Sequence, residues 1–175
     1  MSGGEKSPPR KPHHKIGWSW LGAFLGIYSV SSLNNWLHID MLNNLFLVGS
    51  FGASAVLIYG APQAEFAQPR NVLGGHIISA FVGISVYKYI PLDVALLSAL
   101  AVSLSIVAMQ YTRTLHPPGG ATALIAVIGS DSIHGLGYVY VLSPIGIGAL
   151  IMLLIALVIN NLSSDPKRHY PRYWL

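Results

Sequence analysis

The densest chemistry in this 175-residue chain lies in one short run, Leu115-His116-Pro117-Pro118-Gly119-Gly120-Ala121-Thr122-Ala123-Leu124. Two prolines set φ and remove two backbone donors, which suits the first turn of a helix, where those donors would go unpaired anyway. Two glycines let another backbone or a solute come close. A helix starting here has free N–H groups at Gly119, Gly120 and Ala121 and the positive end of its dipole, a combination that suits a small anion. Thr122 adds a hydroxyl and His116 a titratable donor. The stretch Phe51-Gly52-Ala53-Ser54-Ala55-Val56-Leu57-Ile58 has a similar layout. A helix restarting near Gly52 would present the amides of Ala53 and Ser54 beside the Ser54 hydroxyl. The expected anion site therefore joins His116, Pro117, Pro118, Gly119, Gly120, Ala121 and Thr122 to Gly52, Ala53 and Ser54. The competing use of such small residues is tight helix crossing.

Two further stretches contribute candidates. In Gln68-Pro69-Arg70-Asn71, Arg70 either caps the carbonyls of the preceding segment or draws anions to a pore mouth, and Asn71 can start the next helix. Gly74-Gly75-His76 follows. An ionisable residue among apolar ones in a membrane is a functional candidate, against the alternative of a neutral imidazole bonded to a carbonyl. Histidine titrates near neutral pH, so His76 and His116 together could pass a proton alongside an anion. Asp131 and His134 are three residues apart but lack the further ligands a closed metal site needs, and a solvated turn fits them better. With no cysteine, no Gly-x-Ser-x-Gly turn and no His-Glu-x-x-His pair, neither enzymatic activity, a metal nor a cofactor is expected.

The elements that must position these residues are hydrophobic. Apolar residues make up 53% of the chain and charged ones 9%, against about 25% charged in a soluble domain. Within residues 16–164 the charged residues are Asp40, Glu65, Arg70, Lys88, Asp93, Arg113 and Asp131. The pattern is that of a multi-pass integral membrane protein with polar ends. Residues 1–16 read as a basic disordered tail, 17–163 as the transmembrane domain and 164–175 as a basic C-terminal tail. No small-residue cleavage site clearly follows the first apolar run, which reads as a retained helix. The net charge of +4 comes from the tails, which are too short and Pro-rich for a nucleic-acid-binding face. Basic tails at both ends place both in the cytoplasm and require an even number of crossings.

Six apolar segments can be marked, at about 18–33, 42–61, 72–90, 92–111, 117–128 and 141–162. A span needs about 20 apolar residues. The third, fourth and sixth meet that length, the first is borderline, and the fifth is too short alone, which suggests a half-helix or re-entrant segment. Asn34 to Asn44 reads as a polar, aromatic interfacial loop. The Gly-Ala-Ser-Ala-Val and Gly-Ala-Thr-Ala-Leu cores lie in the second and fifth segments, each the middle of a group of three. The expected fold is therefore all-α, with about six helical segments as two inverted three-segment repeats, the second and fifth short, broken or re-entrant. The two helix starts would then face each other near the bilayer midplane.

On the His116-Pro117-Pro118 run the chain resembles the HPP family of small integral membrane proteins. Phe51 to Ala55, Gln68 to Asn71 and Gly75-His76 are similar to that family's other signature stretches, in the same order, so that the resemblance covers residues 18–162. It implies four transmembrane helices, which short second and fifth segments reconcile with six. It also implies nitrite transport, as in chloroplast and cyanobacterial members, in a bacterial cytoplasmic or chloroplast-type membrane. Nitrate, formate and bicarbonate remain alternatives as substrate, as does a channel in place of a carrier, or a scaffold or subunit without transport. A homodimer is the default assembly.

Overall fold

A computed structural model describes residues 6–36 and 49–174. Seven α-helices are present among them: α1 (His13–Trp36), α2 (Gly49–Ala55), α3 (Pro69–Tyr89), α4 (Val94–Tyr111), α5 (Pro117–Ile128), α6 (Asp131–Leu136) and α7 (Ile147–Asn161). A wider π-helical turn, Val56–Gly60, extends α2, and the stretch Val141–Gly146, kinked at the extended Ser143 (φ −137, ψ 120), leads into α7. The fold is all-α, with no strand among the described residues. Residues 37–48, which hold most of the expected interfacial loop and the start of the second apolar segment, lie outside the described residues.

Local sequence accounts for the helix limits. Pro69 and Pro117 occupy first-turn positions, where no donor is lost. Pro91 follows the end of α3 at Tyr89. Asp93 caps α4, its carboxylate accepting from the Ala95 and Leu96 amides at 3.0 and 3.2 Å. Four helical stretches are long and apolar enough to cross a membrane, His13–Leu33, Pro69–Tyr89, Val94–Tyr111 and Val141–Asn161; two shorter apolar ones are Gly49–Gly60 and Pro117–Ile128. At 1.5 Å per residue, a 21-residue helix such as α3 covers about 32 Å, whereas the 12 residues of α5 cover only about 18 Å.

The centre is built on α3, which packs against both α4 and α5, while α1 packs against α7. α3 and α5 run parallel and very close. A Cβ on Gly75 would sit 2.5 Å from the His116 Cβ, one on Gly119 would sit 2.7 Å from the Ser79 hydroxyl, and one on Gly83 would sit 2.7 Å from the Ala123 carbonyl oxygen. Small residues at 75, 79 and 83 thus mesh with 116, 119 and 123, the close approach expected where lipid cannot drive helices together. α5 begins beside the first turns of α3. The chain after it returns to the far end of α3, where the His134 ring stacks on Tyr87 at 3.8 Å and the Tyr138 hydroxyl meets Ser85 at 3.0 Å. α5 is therefore the short helix among the forms expected for it, and it runs along α3 toward its far end.

α2 lies against α5 in the opposite direction. Ser50 meets Thr122, and Ser54 meets His116. The two short helices lie side by side and antiparallel, which corrects the expectation of two helix starts facing each other end to end. The physical reason is the hydroxyl spacing: Ser50 and Ser54, one turn apart, both find partners along the flank of α5.

Both chain ends fold onto the same end of the body. α1 takes in residues 13–16 of the expected disordered lead. Lys15 pairs with Asp165 at 2.6 Å. The C-terminal segment forms a short turn, Pro166–Arg168, and then packs down, with Arg168 and Tyr170 buried. Arg168 donates to the Tyr59 carbonyl at 2.8 Å and Asn160 to the Ile58 carbonyl at 2.9 Å. Lys11 donates to the carbonyl of Gly60. These donors reach carbonyls at the end of the α2 stretch, where helix acceptors run out of partners. The Tyr170 hydroxyl donates to the Ala67 carbonyl at 2.6 Å, and burial raises its pKa above the ordinary tyrosine value.

A buried histidine pair and the arginine vestibule above it

The polar centre forms where α2, α3 and α5 meet. Ser54 Oγ lies 2.7 Å from His76 Nε2 and 2.8 Å from His116 Nε2. His76 Nδ1 lies 2.8 Å from Thr122 Oγ1, which donates to Ser50 Oγ at 2.9 Å. His116 Nδ1 donates to the Phe66 carbonyl at 2.7 Å. All five side chains are buried, and the two rings meet edge-on with centroids 4.9 Å apart. Phe51 closes the other side of His76, its ring 5.3 Å away, and itself nests against Gly148 of α7. Among the described residues, no carboxylate, lysine or arginine bonds to either ring. A buried polar group without a partner costs about 1–3 kcal/mol, and here every ring nitrogen has one.

Directly above the pair lies a cavity of about 680 Å³, lined by Arg70, Arg113 and Arg172 with Glu65, Phe66, Asn71, Leu115 and Tyr173 among others. It lies at the end where the chain termini fold down. Its floor is the wall of the histidine site: Phe66 accepts from His116, and Asn71 donates to the Leu115 carbonyl at 2.8 Å. Arg70 donates to the Thr112 carbonyl at 2.9 Å. It thus caps the end of α4 instead of the second segment. Arg113 stands at φ 58. The Thr114 amide bonds the Met109 carbonyl at 2.8 Å and the Arg113 amide bonds the Gln110 carbonyl at 3.1 Å. This is a Schellman end, in which glycine is the usual residue at the position Arg113 holds. The conformational cost of placing an arginine there, of order 1 kcal/mol, is the kind met at functional sites.

The sequence-derived candidates divide on this geometry. Ser54, His76, His116 and Thr122 come together. Arg70 and Asn71 line the cavity above them. Pro117 and Pro118 shape the start of α5, and the Gly119 amide is already bonded to the His116 carbonyl at 2.8 Å. Gly119 faces α3, as a crossing residue. Gly120 and Ala121 border a separate apolar cleft with Val102, Ile106 and Leu124. Gly52 and Ala53 are exposed, and Ala53 and Ser54 lie past the first turn of α2, so their amides do not face a shared pocket. What reaches the shared site is side chains, not the helix-start amides. Asp131 is exposed, and His134 bonds the Val127 carbonyl at 3.1 Å. No group of three potential metal ligands occurs among the described residues.

Sequence reading did not single out Ser50, Phe66, Arg113 or Arg172. Ser50 could have been found from its i, i+4 spacing to Ser54. Phe66 acts through its carbonyl, which leaves no mark in sequence. Arg113 and Arg172 were visible only as topology charges, and their convergence with Arg70 needs the folded C-terminal segment.

A model of the transmembrane region of the HPP family matches residues 8–171. Two proteins of Dictyostelium discoideum, each described as a transmembrane protein, are similar to the chain. One is 48% identical over 177 residues, covering 98% of this chain and 55% of its own length; the other is 47% identical over 178 residues, covering 99% and 60%. The chain thus spans little more than half the length of these relatives. No solved structure matches it. Four membrane-length helices, a His-Pro-Pro run opening α5 and a family match across nearly the whole chain lead to one conclusion: the chain is an integral membrane protein that belongs to the HPP family.

Proposed function

We propose that the chain carries a small inorganic anion, nitrite in the first instance, across the membrane. The observation that carries this reading is the placement of three arginines around a cavity whose floor is one hydrogen bond from a buried histidine pair. The cavity holds one acidic residue, Glu65, against Arg70, Arg113 and Arg172, so an anion is drawn in. Guanidinium forks suit a planar oxyanion such as nitrite, formate or nitrate. The polar centre beneath is already fully hydrogen-bonded, which favours a carrier that must rearrange over an open channel.

In this reading the tails and the arginine cavity face the cytoplasm, in line with the distribution of basic residues. α1–α2–α3 and α4–α5–α7 act as two inverted units. The mutual packing supports this: the first long helix of each unit lies against the last of the other, α1 on α7 and α4 on α3, and the short middle helices pair with each other. Rocking of one unit against the other would open the centre alternately to either side. Assembly as a homodimer, by the base rate for symmetric oligomers, fits the exposed apolar faces of the outer helices.

The test is uptake of nitrite into vesicles containing the purified full chain. Uptake above that of empty vesicles, saturating with nitrite, is expected. No flux of nitrite, nitrate or formate above empty vesicles would instead favour a scaffold or subunit without transport.

A further inference from the structure

We infer that His76, Ser54 and His116 form a device that binds a single proton and passes it between the two rings. The proton count of this device is fixed by its hydrogen-bond geometry, whether or not nitrite is the cargo.

The Phe66 carbonyl can only accept, so His116 Nδ1 carries a hydrogen. The Thr122 hydroxyl has one hydrogen and reaches both Ser50 Oγ at 2.9 Å and the Pro118 carbonyl at 3.3 Å; donated to either, it leaves Thr122 Oγ1 to accept from His76 Nδ1–H. Both Nδ1 atoms are then protonated. Between the two Nε2 atoms sits Ser54 Oγ, with hydrogen bonds on both sides but one hydrogen of its own. The second bond needs one more hydrogen, on one Nε2 or the other. With the Thr122 hydrogen directed away from His76, the pair therefore holds one proton beyond two neutral imidazoles.

That proton has two places. With it on His116, His116 Nε2–H donates to Ser54 Oγ, and Ser54 O–H donates to His76 Nε2. Transfer breaks the His116 Nε2–H bond and forms a bond to Ser54 Oγ, while the original Ser54 hydrogen leaves for His76 Nε2. The hydroxyl is regenerated, and one positive charge has crossed from the ring beside the arginine cavity to the ring deeper in the body. Without the extra proton both rings are still fully bonded once the Thr122 hydroxyl turns: Thr122 to His76 Nδ1, His76 Nε2–H to Ser54, and Ser54 to His116 Nε2. In that state the two rings are opposite tautomers, Nε2–H in His76 and Nδ1–H in His116.

Among the described residues, no carboxylate bonds to either ring. The described groups that bond or pack against the rings are the hydroxyls of Ser54 and Thr122, the Phe66 carbonyl and the Phe51 ring. Tyr140 reaches the Thr122 carbonyl at 3.4 Å, not a ring, and Ser79 bonds Met109 sulfur at 3.5 Å. Beyond Phe66 the cavity carries the charged residues Glu65, Arg70, Arg113 and Arg172. An uncompensated imidazolium in so apolar a place is costly, so an anion arriving from the cavity would stabilise the protonated state and travel with it.

The test is nitrogen NMR of the full chain, with histidine labelled on both ring nitrogens, in lipid nanodiscs across a pH titration; His76→Gln and His116→Gln assign the signals. At high pH the account expects opposite tautomers in the two rings. On acidification it expects one proton taken up by the pair, with both rings responding together, and in Ser54→Ala loss of that joint response. Identical tautomers at high pH, two separate proton uptakes, no uptake across the pH range in which the fold persists, or a joint response that survives in Ser54→Ala would overturn it. Nitrite flux is not part of this readout, so failure here leaves the transport reading standing, and the reverse.

Discussion

Ser54 on α2 and His116 at the start of α5 lie 62 positions apart in the chain, and a 2.8 Å hydrogen bond joins them in the interior. That bond ties α2 to α5. In the proposed carrier, rocking of one unit against the other must break or remake it, which makes the polar centre both a clasp and the place where a rearrangement is sensed.

Ser54→Ala leaves two ring nitrogens facing each other across a methyl group. Each unpartnered buried group costs about 1–3 kcal/mol. The variant is expected to melt at lower temperature in detergent and to lose at least about tenfold in anion uptake, the scale of one such lost interaction. Thermal unfolding and vesicle uptake on the same preparation check both.

Arg113 is the residue for which stability and function pull apart. Arg113→Gly relieves the left-handed backbone at φ 58 and is expected to stabilise the fold by about 0.5–1 kcal/mol. The same change removes one guanidinium from the cavity, so the KM for nitrite should rise several-fold with little change in maximal rate. Arg172→Gln should raise KM similarly. Concentration dependence of uptake in the two variants separates this from a purely structural role, which would leave KM unchanged.

The glycines sort by what faces them. Gly83→Ala brings a Cβ to 2.7 Å from the Ala123 backbone oxygen and Gly119→Ala one to 2.9 Å from the Gly75 oxygen. Overpacking against backbone costs about 1–3 kcal/mol. Among the described residues Gly52→Ala meets nothing within 4 Å and Gly120→Ala meets only Val102 at 3.8 Å, so both should fold and transport like the wild type. Melting temperatures of the four variants test the division. If Gly52→Ala and Gly120→Ala fold normally but lose transport, the helix-start amides are the binding elements after all.

Asp165 gives the fold a dependence on acid. The Lys15 ammonium, with help from the Lys167 amide, holds its carboxyl pKa below the ordinary carboxylate value. A folded-state value lower than the unfolded one means that the pair stabilises the fold at pH above the unfolded value, and that this contribution fades as pH falls through the folded one. The C-terminal segment should therefore loosen below about pH 4. Hydrogen exchange at Tyr170 and Arg172 should rise there, and Asp165→Asn should show the loosened state at neutral pH.

Much of this arrangement was legible in the residues. The long apolar segments and the short fifth follow from hydropathy, and the pairing of Ser54 with the His-Pro-Pro run was suggested by the likeness of the two small-residue stretches. The mode of pairing did not. Gly-Ala-Ser-Ala and Gly-Ala-Thr-Ala present the same residue types whether backbones or hydroxyls meet, and only the antiparallel register of Ser50 with Thr122 decides. The arginine cavity was hidden for another reason. Arg172 lies in what reads as a solvated basic tail, and its placement depends on burial of Arg168 and Tyr170 against the end of α2, a tertiary contact with no periodicity to announce it.

The most direct test of the central claim is nitrite flux in sealed vesicles carrying the full chain, with a pH gradient imposed in either direction and empty vesicles as reference. The account expects nitrite to move faster than in empty vesicles, to accumulate toward the alkaline side, and to lose both properties when His76 and His116 are each replaced by glutamine. Flux equal to that of empty vesicles, or flux that persists unchanged in both glutamine variants, would contradict it.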